Sequence, residues 1–252
     1  MHKYIRILLG LNLSAVIRGF RFGFAQFRMA PSSAYETVNP FEDRLLAGIP
    51  KATLLNITSG RNPRIIVEVS NPVDGALPLE ARMAVLSLLV LEQPKVILEI
   101  GTFMGATTHA MAENLPECLI HTVDLPESYV PGSTAALPKD DFHLIQARVV
   151  GRDYKNTPFA SRITQHFADT AKWDFTAAAP ATFFFIDGSH TYEYCKSDSE
   201  KCFQLCNGRG VFLWHDCDDS HPGVVRFLTE WRAMGRDIVC IVDTQLAYWK
   251  SL

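Results

Sequence analysis

Four side chains that can exchange protons or bind a cation fall in two short motifs in the second half of the chain. Asp187 and His190 lie in IDGSH, and His215 and Asp216 directly follow VFLW. Two carboxylates with an imidazole can bind a divalent ion such as Mg²⁺, which would orient and acidify a substrate hydroxyl. Alternatively, His190 can take the hydroxyl proton directly, because an unperturbed imidazole titrates near ~6.5. Both hypotheses, a metal-assisted reaction and a direct proton transfer to His190, are open at this point.

A turn containing two glycines, Glu99-Ile-Gly-Thr-Phe-Met-Gly105, is the second candidate site. Gly101 and Gly105 permit a tight turn and a close approach to a ligand, but their spacing differs from the G-x-G-x-x-G sequence that holds a dinucleotide pyrophosphate. A positively charged cofactor without a pyrophosphate, such as S-adenosylmethionine, would instead be favoured by the Glu99 carboxylate. Asp124 follows 25 residues after Glu99, where a carboxylate can accept both ribose hydroxyls of a nucleoside.

The segments around these motifs alternate between apolar strands and helices of amphipathic or buried type. Strands are predicted over 96–100, 119–125, 162–167, 181–188, 211–216, 237–243 and 245–250. Helices are predicted over 78–93, 106–114, 191–206 and 221–234. This alternation predicts right-handed β-α-β crossovers and a doubly wound α/β sheet. Because ligands of such sheets bind at the carboxyl ends of the strands, the candidate side chains are expected to line one cleft.

Five motifs follow one another over about residues 75–250: LEIGTFMGATT, TVDLPE, FADT, FFFIDGSHTYE and GVFLWHDCDDSHPGV. In this order they resemble the class I S-adenosylmethionine-dependent methyltransferases, within their small-molecule O-methyltransferase-like branch. That branch includes methyltransferase 24, cephalosporin hydroxylase-like and macrolide sugar O-methyltransferase-like proteins. The resemblance implies a Rossmann-like seven-stranded sheet of strand order 3-2-1-4-5-7-6 and an enzyme that methylates an oxygen of a small molecule.

The resemblance also implies roles for single residues. Glu99 and the turn of Gly101, Thr102, Phe103 and Gly105 would lie at the methionine end of S-adenosylmethionine, and Asp187 is expected to contact the cofactor as well. Asp124 would lie at the ribose and Asp169 of FADT near the adenine. Asp169 is alternatively a helix N-cap, a common use of aspartate after a strand.

The metal-dependent relatives carry an acidic residue after the fourth strand and an acidic pair after the fifth. Here the pair is His215-Asp216, so an imidazole replaces one carboxylate, which Mg²⁺ tolerates poorly and softer ions accept. One alternative is therefore a divalent metal such as Mg²⁺ on Asp187, His215 and Asp216, with His190 as base or outer partner. The other is catalysis by Asp187 and His190 without a metal, in which case His215 caps the strand end.

The first 35 residues carry a charge of +5, whereas the remaining residues total −8. The apolar stretch 7–17 is shorter than the ~20 residues of a membrane span, and no cleavage site for export follows it. An interfacial helix, an Arg-rich transit sequence and a helix packed on the domain or on a second subunit are the alternatives. We predict a basic arm and cap region over 1–75, a methyltransferase domain over 76–252 and a cytoplasmic location, with peripheral membrane contact through 1–35 and a homo-oligomer left open.

The amino-acid composition excludes several other classes of protein. An apolar content of 48% with 16 Phe, 7 Tyr and 4 Trp excludes a disordered chain, and a net charge of −3 gives no reason to expect nucleic acid as a partner. The six cysteines include no C-x-x-C pair and are predicted to be structural thiols. The loop 129–141 is predicted to be a mobile lid.

Two rival functions remain. One is a non-catalytic scaffold. The other is an NAD-dependent oxidoreductase, which is disfavoured because the third glycine of the dinucleotide-binding turn is missing.

Overall fold

A computed structural model describes residues 4–7, 48–68, 75–126, 128 and 148–251 of the chain. The strands are β1 (Tyr4–Ile7), β2 (Lys51–Ala52), β3 (Ile65–Glu68), β4 (Val96–Ile100), β5 (Leu119–Asp124), β6 (Ile163–Phe167), β7 (Phe183–Ile186), β8 (Val211–Trp214), β9 (Val239–Ile241) and β10 (Leu246–Lys250). The α-helices are α1 (Leu54–Ile57), α2 (Leu79–Glu92), α3 (Ala106–Asn114), α4 (Arg152–Lys155), α5 (Tyr192–Leu205) and α6 (Pro222–Ala233).

Eight strands form the main sheet in the order β2-β9-β10-β8-β7-β4-β5-β6. Strand β10 runs antiparallel to β8 and β9, and the other pairings are parallel. The seven strands from β4 to β10 occur in the predicted order 3-2-1-4-5-7-6, so the predicted α/β fold is confirmed. The short strand β2 adds an eighth member, and its two residues are too few to give a periodic signal.

The centre of the sheet is buried on both faces. Every residue of β4, β7 and β8 is buried, as expected for parallel strands covered by helices on either side. One face packs Ile97, Phe183 and Leu213 against α2 and α3, and the other packs Phe184 and Trp214 against α5 and α6. The helices therefore fix the central strands, whose carboxyl ends carry the candidate site.

Residues before position 75 also contribute to this architecture. Strand β3 pairs antiparallel with β1 and buries Ile65 and Val67 in the core, while β2 extends the main sheet along β9. The proposed division at residue 75 stays a prediction. The remainder of the basic arm and the expected lid over 129–141 lie outside the described residues.

Two further properties concern the described part of the chain. No helix there is long and apolar enough to cross a membrane. All six cysteines are free thiols, and Cys206 alone among them is not fully buried, which fits the predicted packing role.

Candidate active site

Glu99 is fully buried on β4 and is held by two threonines. The hydroxyl of Thr108 on α3 donates to its Oε2 at 2.5 Å, and that of Thr122 on β5 donates to the same oxygen at 2.6 Å. Its other oxygen, Oε1, is buried without a hydrogen-bond partner. Burial raises the pKa of Glu99 to about 8, although the threonine hydrogen bonds lower it in part. The carboxyl group therefore titrates near neutral pH and offers one unused oxygen.

We expect the free energy of unfolding of the wild type to fall as the pH rises, and the variant Glu99→Gln to lack this fall. Because the pKa of Glu99 is raised from 4.5 to about 8 on folding, the folded chain binds the proton more tightly, and the free energy of unfolding falls as pH rises from 4.5 through 8. At about 1.4 kcal/mol per pKa unit, the variant should gain on the order of 4 kcal/mol relative to the wild type over that range. Urea unfolding at stepped pH values measures this difference.

The matched control for this prediction is Glu117→Gln, which changes an exposed carboxylate. Its unfolding free energy should differ from the wild type by a constant amount at every pH. If the curve of Glu99→Gln also ran parallel to the wild type between pH 4.5 and 8, the raised pKa of Glu99 would be wrong.

Asp124 ends β5 and connects three segments. Its Oδ2 accepts the backbone N–H of Phe103 at 2.7 Å, and its Oδ1 accepts the N–H of Leu125 and an N–H of Arg148, each at 2.7 Å. The side chain of Arg148 is only 2% exposed. The carboxylate is thus fixed against the glycine turn by a buried cation, which sequence reasoning missed because no motif contains Arg148.

The two glycines of the turn are required by close contacts. Gly101 has φ +94°, and a Cβ there would lie 1.9 Å from the backbone oxygen of Asp187. Gly105 has φ +87°, and a Cβ there would lie 2.6 Å from the ring of Tyr154. The turn after β4 therefore lies directly against the end of β7. Within it, the hydroxyl of Thr102 forms hydrogen bonds with Thr122 at 2.7 Å and with Gln165 at 3.0 Å.

The four residues of the second candidate group lie together at the ends of β7 and β8. Nδ1 of His215 is 3.0 Å from Oδ1 of Asp187 and 3.1 Å from Oδ1 of Asp216. Nε2 of His190 is 2.8 Å from Oδ2 of Asp216. Carboxylates and imidazoles therefore alternate along one line of contacts, which runs from Asp187 through His215 and Asp216 to His190.

These contacts shift the proton affinities of the group. Burial alone would lower the pKa of His215, but Asp187 and Asp216 outweigh it and raise that pKa to about 10. Burial would raise the pKa of Asp216, but hydrogen bonds from His190 and His215 outweigh it and hold that pKa well below its usual range. Burial raises the pKa of Asp187 by more than His215 lowers it. The His215 ring is accordingly an imidazolium at neutral pH.

Two residues that sequence reasoning did not assign to the site adjoin this group. Nδ1 of His221, at the start of α6, lies 2.9 Å from Oδ1 of Asp218, and its ring lies 4.6 Å from that of His190. A Cβ on Gly223 would lie 2.7 Å from the backbone oxygen of His190, so this glycine lets α6 approach. The sequence HPG was interpreted only as a helix start. Asp218 pairs with His221 and accepts a hydrogen bond from Gln245.

Two sets of side chains have the composition of a metal site. The predicted ligands Asp187, His215 and Asp216 each place one ligand atom within 4.8 Å of the others, and so do His190, Asp216 and His221. Asp216 belongs to both sets.

Asp169 lies beyond β6, on the side of α5. Its Oδ1 accepts the backbone N–H of Ala171 and the hydroxyl of Tyr194, each at 2.9 Å. Residues 170–172 form a turn, so the alternative of a helix N-cap is not observed. Tyr194 thereby links the end of β6 to α5, a contact between distant residues that the sequence did not indicate.

Comparison with known families identifies the central part of the chain. Residues 98–217 match the family described as a methyltransferase domain. The match spans the Glu99 turn, Asp124, Asp169 and the group from Asp187 to Asp216. The family resemblance seen in the motifs is confirmed over these residues. No curated protein matches the chain significantly in sequence.

Solved structures show a related fold at low sequence identity. The methyltransferase PaMTH1 of Podospora anserina, solved with bound S-adenosylhomocysteine, has a TM-score of 0.50 and 14% identity, covering 91% of this chain and 100% of its own. The O-methyltransferase TomG of Streptomyces achromogenes, solved with S-adenosylmethionine, has a TM-score of 0.48, 16% identity and coverages of 89% and 100%. An O-methyltransferase of Bacillus cereus, solved with S-adenosylhomocysteine, has a TM-score of 0.47 and 12% identity, covering 87% of this chain and 94% of its own. The first superposition supports the methyltransferase fold.

Proposed function

We propose that this chain transfers the methyl group of S-adenosylmethionine to an oxygen atom of a small molecule. The observation that carries the proposal is the arrangement of two polar groups along one edge of the sheet, within the segment that matches a methyltransferase domain. Glu99 is the penultimate residue of β4, Asp124 is the last residue of β5, and the group around Asp187 and Asp216 follows β7 and β8. The backbone contact between Gly101 and Asp187 joins the two groups.

The first group fits a cationic nucleoside. The unpartnered buried oxygen of Glu99 is an acceptor for the amino group of the methionine part. Oδ1 of Asp124 already accepts two hydrogen bonds, but Oδ2 accepts only the one from Phe103, so a ribose hydroxyl can still donate to Oδ2. Gly101, Thr102, Phe103 and Gly105 would let the backbone approach the methionine part, and Asp169 would lie toward the adenine.

The second group fits the removal of a proton from the acceptor. The sulfonium of S-adenosylmethionine supplies an activated methyl group, so the protein has to align the acceptor oxygen and take up its proton. His190 is 27% exposed and pairs with Asp216, which orients the ring. His190 is therefore the proposed general base, while Asp187 holds His215 and adjoins the cofactor turn.

Calorimetric titration with S-adenosylhomocysteine, the expected product, tests the cofactor site. We expect micromolar affinity for the wild-type chain, about −8 kcal/mol, no heat with NAD, and at least tenfold weaker binding for Asp124→Asn. The variant loses one anionic acceptor for the ribose and leaves Arg148 with a neutral partner, so its thermal unfolding is recorded in parallel. Asp237→Asn, which changes an exposed aspartate, is the control and should bind as the wild type does.

The other outcomes separate the rival functions. Binding of NAD in place of S-adenosylhomocysteine would favour an oxidoreductase. A folded chain that binds neither ligand would favour a non-catalytic scaffold and would overturn the proposal. The cytoplasmic location, contact of residues 1–35 with a membrane surface and a shaping of the acceptor site by residues 1–75 stay proposals of the same kind.

A further inference from the structure

The protein itself already uses most of the hydrogen-bonding capacity of the Asp124 carboxylate. Its Oδ1 accepts the backbone N–H of Leu125 and an N–H of Arg148, and its Oδ2 accepts the backbone N–H of Phe103, each at 2.7 Å. An ionised carboxylate has about four lone-pair positions on its two oxygens. Three of them are occupied, so one position, on Oδ2, is left for a ligand.

The backbone donor to Oδ2 is held in place from the side of α4. Phe103 has φ +51°, a left-handed conformation that a non-glycine residue keeps only where its surroundings enforce it. The N–H of Gly151 donates to the oxygen of Phe103 at 3.1 Å, and the N–H of Asp153 donates to the oxygen of Met104 at 2.9 Å. Because these contacts fix the turn, the N–H of Phe103 stays on Oδ2 and does not yield its place to a second ligand group.

Arg148 holds the other oxygen from a position that is closed to water. Its side chain is 2% exposed, and its Nη2 donates to Oδ1 of Asp124 at 2.7 Å and to the backbone oxygen of Leu125 at 3.0 Å. Within the described ranges, Asp124 is the one carboxylate that pairs with this guanidinium, whose Nε and Nη1 are buried without a hydrogen-bond partner. The charge of Arg148 is therefore compensated by Asp124 alone.

This dependence decides which donor keeps Oδ1. A ribose hydroxyl that displaced Arg148 would leave a buried cation without its anion, which is strongly destabilising. The gain would be one hydrogen bond from a neutral hydroxyl, which is smaller. The ion pair should therefore persist when the cofactor binds.

We propose that Arg148 restricts Asp124 to a single ribose hydroxyl, so that this chain recognises the ribose of its cofactor through one hydroxyl group and tolerates the loss of the other. The inference rests on the proposed function and deepens it, because a carboxylate with both oxygens open would accept both hydroxyls. Arg148 acts through Asp124 and is a positioning residue, which sets the specificity of the site for the ribose.

The test is calorimetric titration of the full chain with S-adenosylhomocysteine and with the two deoxy analogues of this ligand that each lack one ribose hydroxyl. We expect one analogue to bind within about twofold of the parent ligand and the other to bind about tenfold or more weakly, because only one of them loses a hydrogen bond to a charged group. A loss of that size with both analogues, or with neither, would overturn the proposal.

The variant Arg148→Met tests the role of the arginine itself. The uncharged methionine cannot donate to Oδ1, so the second hydroxyl can, and the analogue that the wild type tolerates should bind the variant about fivefold or more weakly than the parent ligand does. A merely structural role of Arg148 would weaken all three ligands alike and leave their ratios unchanged. Burial raises the pKa of Asp124 and Arg148 opposes this shift, so the titrations are done at about pH 8.5, far above the usual aspartate pKa of ~3.9.

The matched control is Arg209→Met, because this arginine is exposed and precedes β8 at the opposite end of the strands. It should distinguish the two analogues as the wild type does. Circular dichroism establishes whether Arg148→Met is folded. A folded Arg148→Met with the wild-type ratios would overturn the role of Arg148, and should this variant not fold, the wild-type titrations decide.

These outcomes separate the inference from the proposed function. If S-adenosylhomocysteine binds and both deoxy analogues are weakened about tenfold or more, the cofactor site stands and the inference fails. If S-adenosylhomocysteine itself does not bind, the proposed function fails and the inference fails with it.

Discussion

Replacing Gly101 by alanine is expected to cost the chain roughly 2 to 5 kcal/mol of its free energy of unfolding and to abolish cofactor binding. The residue has φ +94°, which costs an L-amino acid about 1 to 2 kcal/mol. The Cβ of the alanine would also lie 1.9 Å from the backbone oxygen of Asp187. Because this contact is with backbone, no flexible side chain can move aside to relieve it. Relief requires a movement of the turn against β7, which adds a cost of about 1 to 3 kcal/mol.

Gly235 provides a matched control for the backbone strain alone. Its φ is +89°, yet a Cβ there would meet nothing within 4 Å. Gly235→Ala should therefore lose only the conformational cost, and the difference between the two variants in urea unfolding isolates the contact with Asp187. Equal losses in the two variants would show that the glycine turn does not press on the end of β7.

Replacing His190 by alanine is expected to lower kcat by about 10² to 10⁴-fold, the usual contribution of a positioned general base. The reason is that the only proposed proton acceptor next to Asp216 is lost, while Glu99, Asp124 and the glycine turn are untouched. Affinity for S-adenosylhomocysteine should stay within about twofold of the wild type. Turnover is measured as S-adenosylhomocysteine formed with hydroxylated small molecules, by mass spectrometry.

His109→Ala is the control, because this histidine lies on α3 and packs against Phe159 rather than in the candidate site. It should retain the wild-type kcat. Added imidazole should partly restore His190→Ala, since a free base can occupy the vacated space, and the pH dependence of turnover should shift toward that of imidazole. A His190→Ala variant with wild-type kcat would remove the proposed base.

The central strands could be predicted from the sequence because they are continuous apolar runs between turn residues. VILEI, FFFI and VFLW are buried on both faces, and their order follows from the family motifs. Strand β2 could not be predicted, because two residues carry no periodicity and its partner β9 lies nearly 190 positions later in the register Lys51 to Cys240. The sequence thus contained the elements but not the edge contacts.

The candidate site was predictable to a similar extent. Acidic residues at or near the ends of apolar strands are visible as a pattern, and this pattern indicated Glu99, Asp124, Asp187 and Asp216. Their partners were not indicated. Arg148 belongs to no motif, and Thr108, although it ends LEIGTFMGATT, carries no sign that it contacts Glu99; both meet the carboxylates only through the folding of the sheet. The contact of His215 with two carboxylates likewise depends on the spacing between β7 and β8, which no local pattern encodes.

The short strand β2 also determines how the sheet ends. Backbone N–H groups of Cys240 and Val242 donate to the oxygens of Pro50 and Ala52 at 2.9 and 3.1 Å. Without these acceptors, β9 would present open hydrogen-bonding groups beside an apolar strand, the kind of border along which separate chains add to one another and aggregate. The segment that contains β2, which precedes the residues that match the methyltransferase family, therefore closes a border of the sheet along which further strands could otherwise add.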